Sequence, residues 1–221
     1  MLEYSYFVFE LIALSTAMFV YRSIKNNRFI YFIPYLTFVV IYEYGSIKNW
    51  FLINKNNLWI TNITLFVFFL FYSIFILNLI KTPKYIHRIK AAIFLSGGFA
   101  IINAALIQGF WNLNSLTITL QFLILILIVC IYFYELMNLS VAKLNIAKLP
   151  SFWLCSGLLF FCLIEFLFYS AYAYMSFTDD FKYFTLFEII SNPANFILYS
   201  CLTVSFLCIK SNPVSLSTTD L

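Results

Sequence analysis

Charge is scarce in this chain. Only 10% of its 221 residues are Asp, Glu, Lys or Arg, while 63% are hydrophobic. A folded domain in water needs a charged surface, so this balance leaves no room for a soluble domain. The 13 basic residues form no block of five or six, so the net charge of +4 does not indicate a nucleic-acid-binding segment. Histidine is reduced to His87, in a basic loop. That excludes a multi-histidine metal hydrolase and any Ser/His or Cys/His pair at membrane depth. The only aspartates are Asp179, Asp180 and Asp220, all predicted in a loop or the tail, so the paired aspartates of an intramembrane protease are missing. No lysine lies between Lys182 and Lys210, which removes the Schiff-base site of a retinal pigment. There is no Pro-Gln pair, and no internal repeat with matched helix breaks of the kind inverted-repeat transporters show. The five cysteines, an odd number, all fall inside predicted helices, where they serve as small packing residues rather than a disulfide framework.

Long apolar runs fill the chain instead. Seven of them, at 4–21, 29–46, 58–80, 89–108, 114–137, 151–175 and 183–209, approach or exceed the roughly 20 residues that cross a bilayer. The expected fold is all-α: a polytopic seven-helix transmembrane bundle over 1–210, followed by a short polar tail at 211–221. The start, Met-Leu-Glu-Tyr, has no basic n-region, which predicts an uncleaved first helix. Lys and Arg set the orientation. With the N-terminus outside, ten of the 13 face inward, among them Arg22, Lys25, Arg28, Lys81, Lys84 and Arg88, and only Lys48, Lys55 and Lys182 face outward. The C-terminal tail is then cytoplasmic. Trp50, Trp59 and Trp111 fall near the outer interface and Trp153 near the inner one, where amphipathic rings belong. The connection over 138–149 alternates apolar and basic residues, as a segment lying along the membrane surface would.

Ionisable groups within these helices each need a reason, since one charge at the bilayer centre costs about 2.5–3.5 kcal/mol on insertion scales. In the seventh helix Glu188, Asn192, Asn195 and Tyr199 recur at i, i+4, i+7 and i+11, on one face that must point into the bundle. Pro193 within it removes a backbone donor and predicts a kink. The sixth helix adds Glu165 with Tyr169 and Tyr172, the first adds Glu10 with Tyr6, and the second adds Glu43 beside Tyr42 and Tyr44. Asn62, Asn103 and Gln121 complete the set. By depth these groups lie in the outer half and the midplane, while the inner half carries hydroxyls, cysteines and apolar side chains, apart from Asn78 and Glu135 near the boundary. The layer is one-sided, which implies an outward-facing pocket and not a continuous aqueous path. Every Lys and Arg sits at a helix end, so the carboxylates have no basic neighbour at depth. They are protonated and bonded to Tyr and Asn, or hold a cation, or face water. Tyrosine-lined acidic sites suit cationic ligands. Simple interhelical hydrogen bonding is the alternative for the whole set. In the fourth helix Ala92, Ser96, Ala100 and Ala104, with Gly97 and Gly98, offer a small-residue face for close helix approach, within the bundle or between protomers as a homo-oligomer.

Three segments carry a resemblance: Asn56-Asn57-Leu58-Trp59-Ile60-Thr61-Asn62-Ile63, then Pro150-Ser151-Phe152-Trp153 with Ser156-Gly157-Leu158-Leu159-Phe160, and Asn195-Phe196-Ile197-Leu198-Tyr199-Ser200. They resemble a group of small bacterial seven-helix membrane proteins often encoded beside sensor histidine kinases. The resemblance implies a bacterial cytoplasmic (inner) membrane, a signalling or accessory role, and a membrane or cytoplasmic partner such as a sensor kinase. It lends no catalytic residue. The expected function is therefore non-enzymatic, without cofactor or metal: sensing or accessory binding through the outward pocket, with the cytoplasmic ends docking a partner. A small transporter or ion-conducting protein using Glu10, Glu165 and Glu188 is the alternative reading, and a structural subunit of a larger membrane complex is another.

Overall fold

The computed structural model describes residues 5–53, 56–138, 146–178 and 184–211, with side chains described for 6–53, 56–138, 146–175 and 192–211. Among the described residues eight α-helices succeed one another: α1 (Ser5–Phe19), α2 (Tyr21–Ile24), α3 (Phe32–Ile47), α4 (Leu58–Leu77), α5 (Pro83–Ile102), α6 (Ser115–Asn138), α7 (Pro150–Thr178) and α8 (Phe184–Ser211). Among the described residues the only β pairing is an isolated bridge between Ile53 and Asn56. Six helical segments among the described residues are long and apolar enough to cross a membrane. The chain thus has the character of a multi-pass membrane protein. The first apolar run is shorter, at 15 residues, because the backbone turns at Val20 before α2.

Helix boundaries reflect local chemistry. A 3₁₀ turn at Arg28–Tyr31 leads into α3, and the Asn27 side chain accepts a hydrogen bond from Phe29 N–H at 3.0 Å. Pro34 falls in the first turn of α3, where its missing N–H has no intrahelical partner to lose. Apolar composition predicts the fourth helix over 89–108, and α5 begins six residues earlier. Pro83 occupies its first turn, so Lys84, His87, Arg88 and Lys90 ride on helix rather than loop. Charge hides this start from an apolar reading. At its far end α5 loosens into a π-helical turn over Asn103–Ile107, where Gln108 N–H reaches back to Asn103 C=O at 2.9 Å. Pro193 lies inside α8, which runs through it as helix.

The chain divides into two compact units. The first comprises residues up to Tyr44, 146–161 and 192–211 among those described. Its α1 buries Glu10, Ala13, Ala17, Val20 and, into α2, Ile24, a single stripe at helical spacing. Phe29 and Phe32 stack at 5.8 Å, and Phe206 of α8 meets Phe32 edge-on at 5.8 Å. Gly157 of α7 lets α8 approach so closely that a Cβ there would lie 2.5 Å from Cys201 Cβ. Such contacts replace the hydrophobic effect as the adhesive between helices in lipid.

The second unit comprises 45–53, 56–138, 162–178 and 184–191 among the described residues. Here α4, α5 and α6 pack on one another. Phe68 of α4 contacts Phe122 of α6 at 6.0 Å, and Phe122 stacks on Tyr169 of α7 at 5.8 Å. By contrast, α5 buries a narrow stripe, Ile89, Ser96 and Asn103, and little else.

Candidate functional site

In the first unit two carboxylates from different helices come together. Glu10 of α1 is 1% exposed. Tyr199 of α8 hydrogen-bonds to its carboxyl group, and Glu43 of α3 acts on it electrostatically. The Tyr6 hydroxyl, one turn before Glu10, donates to Glu43 Oε2 at 3.1 Å. Glu10 Oε2 is buried and has no hydrogen-bond partner among the described residues. Among the described residues, the groups acting on the two carboxyls are each other and tyrosine hydroxyls. Two acids, two phenols and one unpartnered oxygen make a set of hard oxygen donors. No base among the described residues acts on it, and hard oxygen donors are the kind that coordinate cations. Among the described residues no group of three or more His, Cys, Asp or Glu gathers.

The second unit carries an amide network at one end. Asn103, fully buried where the π turn begins, donates to Gln108 Oε1 and to Thr117 Oγ1, both at 2.8 Å. Gln108 donates to Ser115 Oγ at 2.9 Å and accepts from Leu116 N–H, capping α6. A π turn extends the hydrogen bond to i+5, the spacing that puts the Gln108 amide beside Asn103. Asn62 of α4 clamps the same corner. It donates to Asn112 C=O at 2.8 Å and Phe110 C=O at 3.3 Å, and accepts from Asn114 N–H at 3.0 Å. Gly109, at φ 86°, supplies the turn that side-chain-bearing residues resist. This corner is an interlocked cap that satisfies backbone groups at the start of α6. Asn103 Oδ1, Asn114 Oδ1 and Gln121 Nε2 are buried within it or on the same helices without partners among the described residues.

At the opposite end of the same helices, Glu135 of α6 accepts from Lys81 N–H at 2.9 Å and Thr82 N–H at 3.0 Å. One carboxylate thereby caps the start of α5, where free N–H groups and the helix dipole favour negative charge. Nothing in an apolar count marks this role. The signal in the sequence is Pro83, which favours the first turn of a helix that the basic residues obscure.

The residues singled out from sequence are divided between the two units. Glu10 and Tyr199 belong to the acidic set of the first unit, and Tyr6 and Glu43 complete it. Asn192 and Asn195 are half-buried on α8. Glu165 is buried in the second unit, next to the Cys162 thiol one turn before it. Asn103 and Gln121 lie in that unit also, with Tyr169 on Phe122 and Tyr172 half-buried. The Glu188 side chain, the 139–145 connection, Asp179, Asp180 and the tail lie outside the described residues. The glycines of the small-residue face have open surroundings: a Cβ at Gly97 or Gly98 would meet nothing within 4 Å. No neighbouring helix uses them for close approach among the described residues. No protein-family model, curated protein or solved structure matches the chain.

Proposed function

We propose that this chain is a seven-helix protein of a bacterial cytoplasmic membrane, N-terminus outside, that senses or serves as an accessory binder of a small cation at Glu10 and Glu43. The observation that carries it is the buried Glu10 carboxyl, one oxygen of which has no hydrogen-bond partner among the described residues, beside a second carboxyl and two tyrosines. The seventh crossing is supplied by α1 and α2 together: the run from Ser5 to Ile24 rises about 30 Å, the hydrocarbon thickness. The acids sit at the start of α1 and the end of α3, which is the outer side on the loop-charge assignment. Further along the same helices Phe29, Phe32 and Phe206 pack ring against ring. That packing favours a site open to one side over a conducting path. The signal passes through the cytoplasmic helix ends to a partner, for which a sensor kinase is the reading taken from the resemblance.

Thermal unfolding of the purified chain in detergent tests this, with sodium, potassium, ammonium and a bulky quaternary amine added at equal ionic strength. A small cation should raise the transition of the wild type and leave Glu10→Gln unmoved, because Gln keeps the volume and a donor and acceptor but removes the charge. Equal responses from the two proteins to every cation would end the cation reading.

A further inference from the structure

Around the first turns of α6, five buried side-chain atoms have no hydrogen-bond partner among the described residues. They are Asn114 Oδ1 and Gln121 Nε2 of α6 and its cap, Asn103 Oδ1 at the π turn, Ser96 Oγ of α5 and Thr64 Oγ1 of α4. Each of these residues is 9% exposed or less. Packing brings them to one side of α6. Asn114, Ile118 and Gln121 recur at steps of four and three, on a single face. The Asn103 amide lies at that face, since its Nδ2 donates to Thr117 Oγ1 at 2.8 Å and its Oδ1 belongs to the same planar group. The helices α5 and α6 run in opposite directions, because Asn103 meets Thr117 and Thr82 meets Glu135. Ser96, two turns before Asn103 on the buried stripe of α5, is therefore level with the turn after Gln121. The helix α4 runs the same way as α6, because Asn62 meets Asn114 and Phe68 meets Phe122. Thr64, one turn before Phe68, is thus level with Ile118.

The neighbouring bonds fix what each orphaned atom can do. Gln108 Oε1 accepts from Leu116 N–H at 3.2 Å, so it is the oxygen of its amide. The Asn103 atom that faces it is then the nitrogen, and Asn103 Oδ1 is left as an acceptor. The set comprises two carbonyl oxygens that only accept, one amide nitrogen that only donates, and two hydroxyls that do both. A ligand for it has to donate and accept in several directions and be uncharged. A cation would face the Gln121 N–H, and an anion would face the two carbonyls. Water meets every requirement. Leaving these groups buried and unpaired costs more than immobilising water among them.

We infer that the face of α6 from Asn114 to Gln121 binds a short chain of ordered water, which pairs with the Asn103, Asn114 and Gln121 amides and joins α5 and α4 to α6 through Ser96 and Thr64. The helix rises about 10 Å between Asn114 and Gln121, more than one water bridges, so the chain holds at least two. The inference accounts for the way α5 is held. Its buried stripe is narrow, and lipid offers no hydrogen bond to the polar groups on it. Water shared with α6 supplies those bonds. The site lies wholly within the second unit and does not rest on the cation reading of the first.

X-ray radiolytic labelling of the full chain in nanodiscs, read by mass spectrometry, tests this. Radiolysis of bound water hydroxylates the side chains beside it, so a labelled residue in a packed layer marks where water is held. Two isoleucines of α6 are matched in chemistry and burial: Ile118, 3% exposed, on the proposed face, and Ile128, 2% exposed, further along the helix. In the wild type Ile118 should be labelled several-fold faster than Ile128. Gln121→Leu keeps the volume and removes the donor, so it should slow labelling at Ile118 and lower the unfolding transition. Equal labelling of the two isoleucines in the wild type would overturn the inference, and that comparison needs no variant to fold. So would Gln121→Leu with unchanged labelling at Ile118. A transition that Gln121→Leu leaves unchanged or raises would overturn it too, because a dry, unpaired amide is better replaced by an apolar side chain.

Discussion

Replacing Gly157 by Ala measures how tightly α7 and α8 are joined in the first unit. The new Cβ would sit 2.5 Å from Cys201 Cβ, roughly 0.9 Å short of the 3.4 Å at which ordinary contact begins. Both atoms belong to the first carbon of a side chain, so no rotamer change relieves the clash and the helix backbones must part. Overpacking of this kind costs about 1–3 kcal/mol. Alanine returns up to about 1 kcal/mol, since glycine is the poorer helix former. The net expectation for Gly157→Ala is a loss of about 1–2 kcal/mol, or about 2–8 °C in the unfolding transition for a chain of this length. Intrinsic fluorescence of the four tryptophans during heating in detergent reads it. The decisive comparison is a double-mutant cycle. In a Cys201→Gly background the opposing Cβ is gone and the next atom, Ile197 O at 3.5 Å, is in ordinary contact, so Gly157→Ala should become neutral or stabilising. In a Cys201→Ala background the Cβ remains and the penalty should persist, even though the sulfur has been removed. An equal cost of Gly157→Ala in all three backgrounds would refute the close approach.

Other contacts give two further expected outcomes. Glu135→Ala removes the cap on α5 and should cost about 1 kcal/mol, with faster amide exchange at Lys81, Thr82 and Tyr85 by hydrogen-exchange mass spectrometry; unchanged exchange at the start of α5 would contradict the cap. Single cysteines at the exposed positions Lys25 and Asn112, in a background lacking the native cysteines, should react with a membrane-impermeant thiol reagent in intact cells only at 112; labelling at 25 would reverse the proposed orientation.

Hydrocarbon content and charge are the properties through which sequence alone determined the helical character of this protein. A chain with so few ionisable residues and such long apolar runs must satisfy its backbone within helices, and the structure is helical with six membrane-length segments. Helix ends were legible where loops are polar, as at Ser115 and Leu58, and illegible at Pro83, where basic residues ride on the first turns of α5. Tyr199 could be placed on an inward face from its spacing to Asn192 and Asn195. Its bond to Glu10 could not, because spacing along one helix says nothing about which neighbour lies opposite. The same limit hid the pairing of Tyr6 with Glu43, residues 37 positions apart, and of Glu135 with the Lys81–Thr82 backbone, more than 50 positions away. Only tertiary structure separated Glu10 from Asn103 and Gln121 into different compact units, since depth in a membrane is readable from residue count while azimuth around each helix is set by packing. Among the described residues it also left Gly97 and Gly98 of α5 without a close helix neighbour, so the packing reading within the bundle does not hold for them. Gly97 and Gly98 permit close approach by lacking side chains, yet whether a helix comes near depends on where its neighbours bury their own polar stripes, and here that stripe is Ile89, Ser96 and Asn103 on the other side.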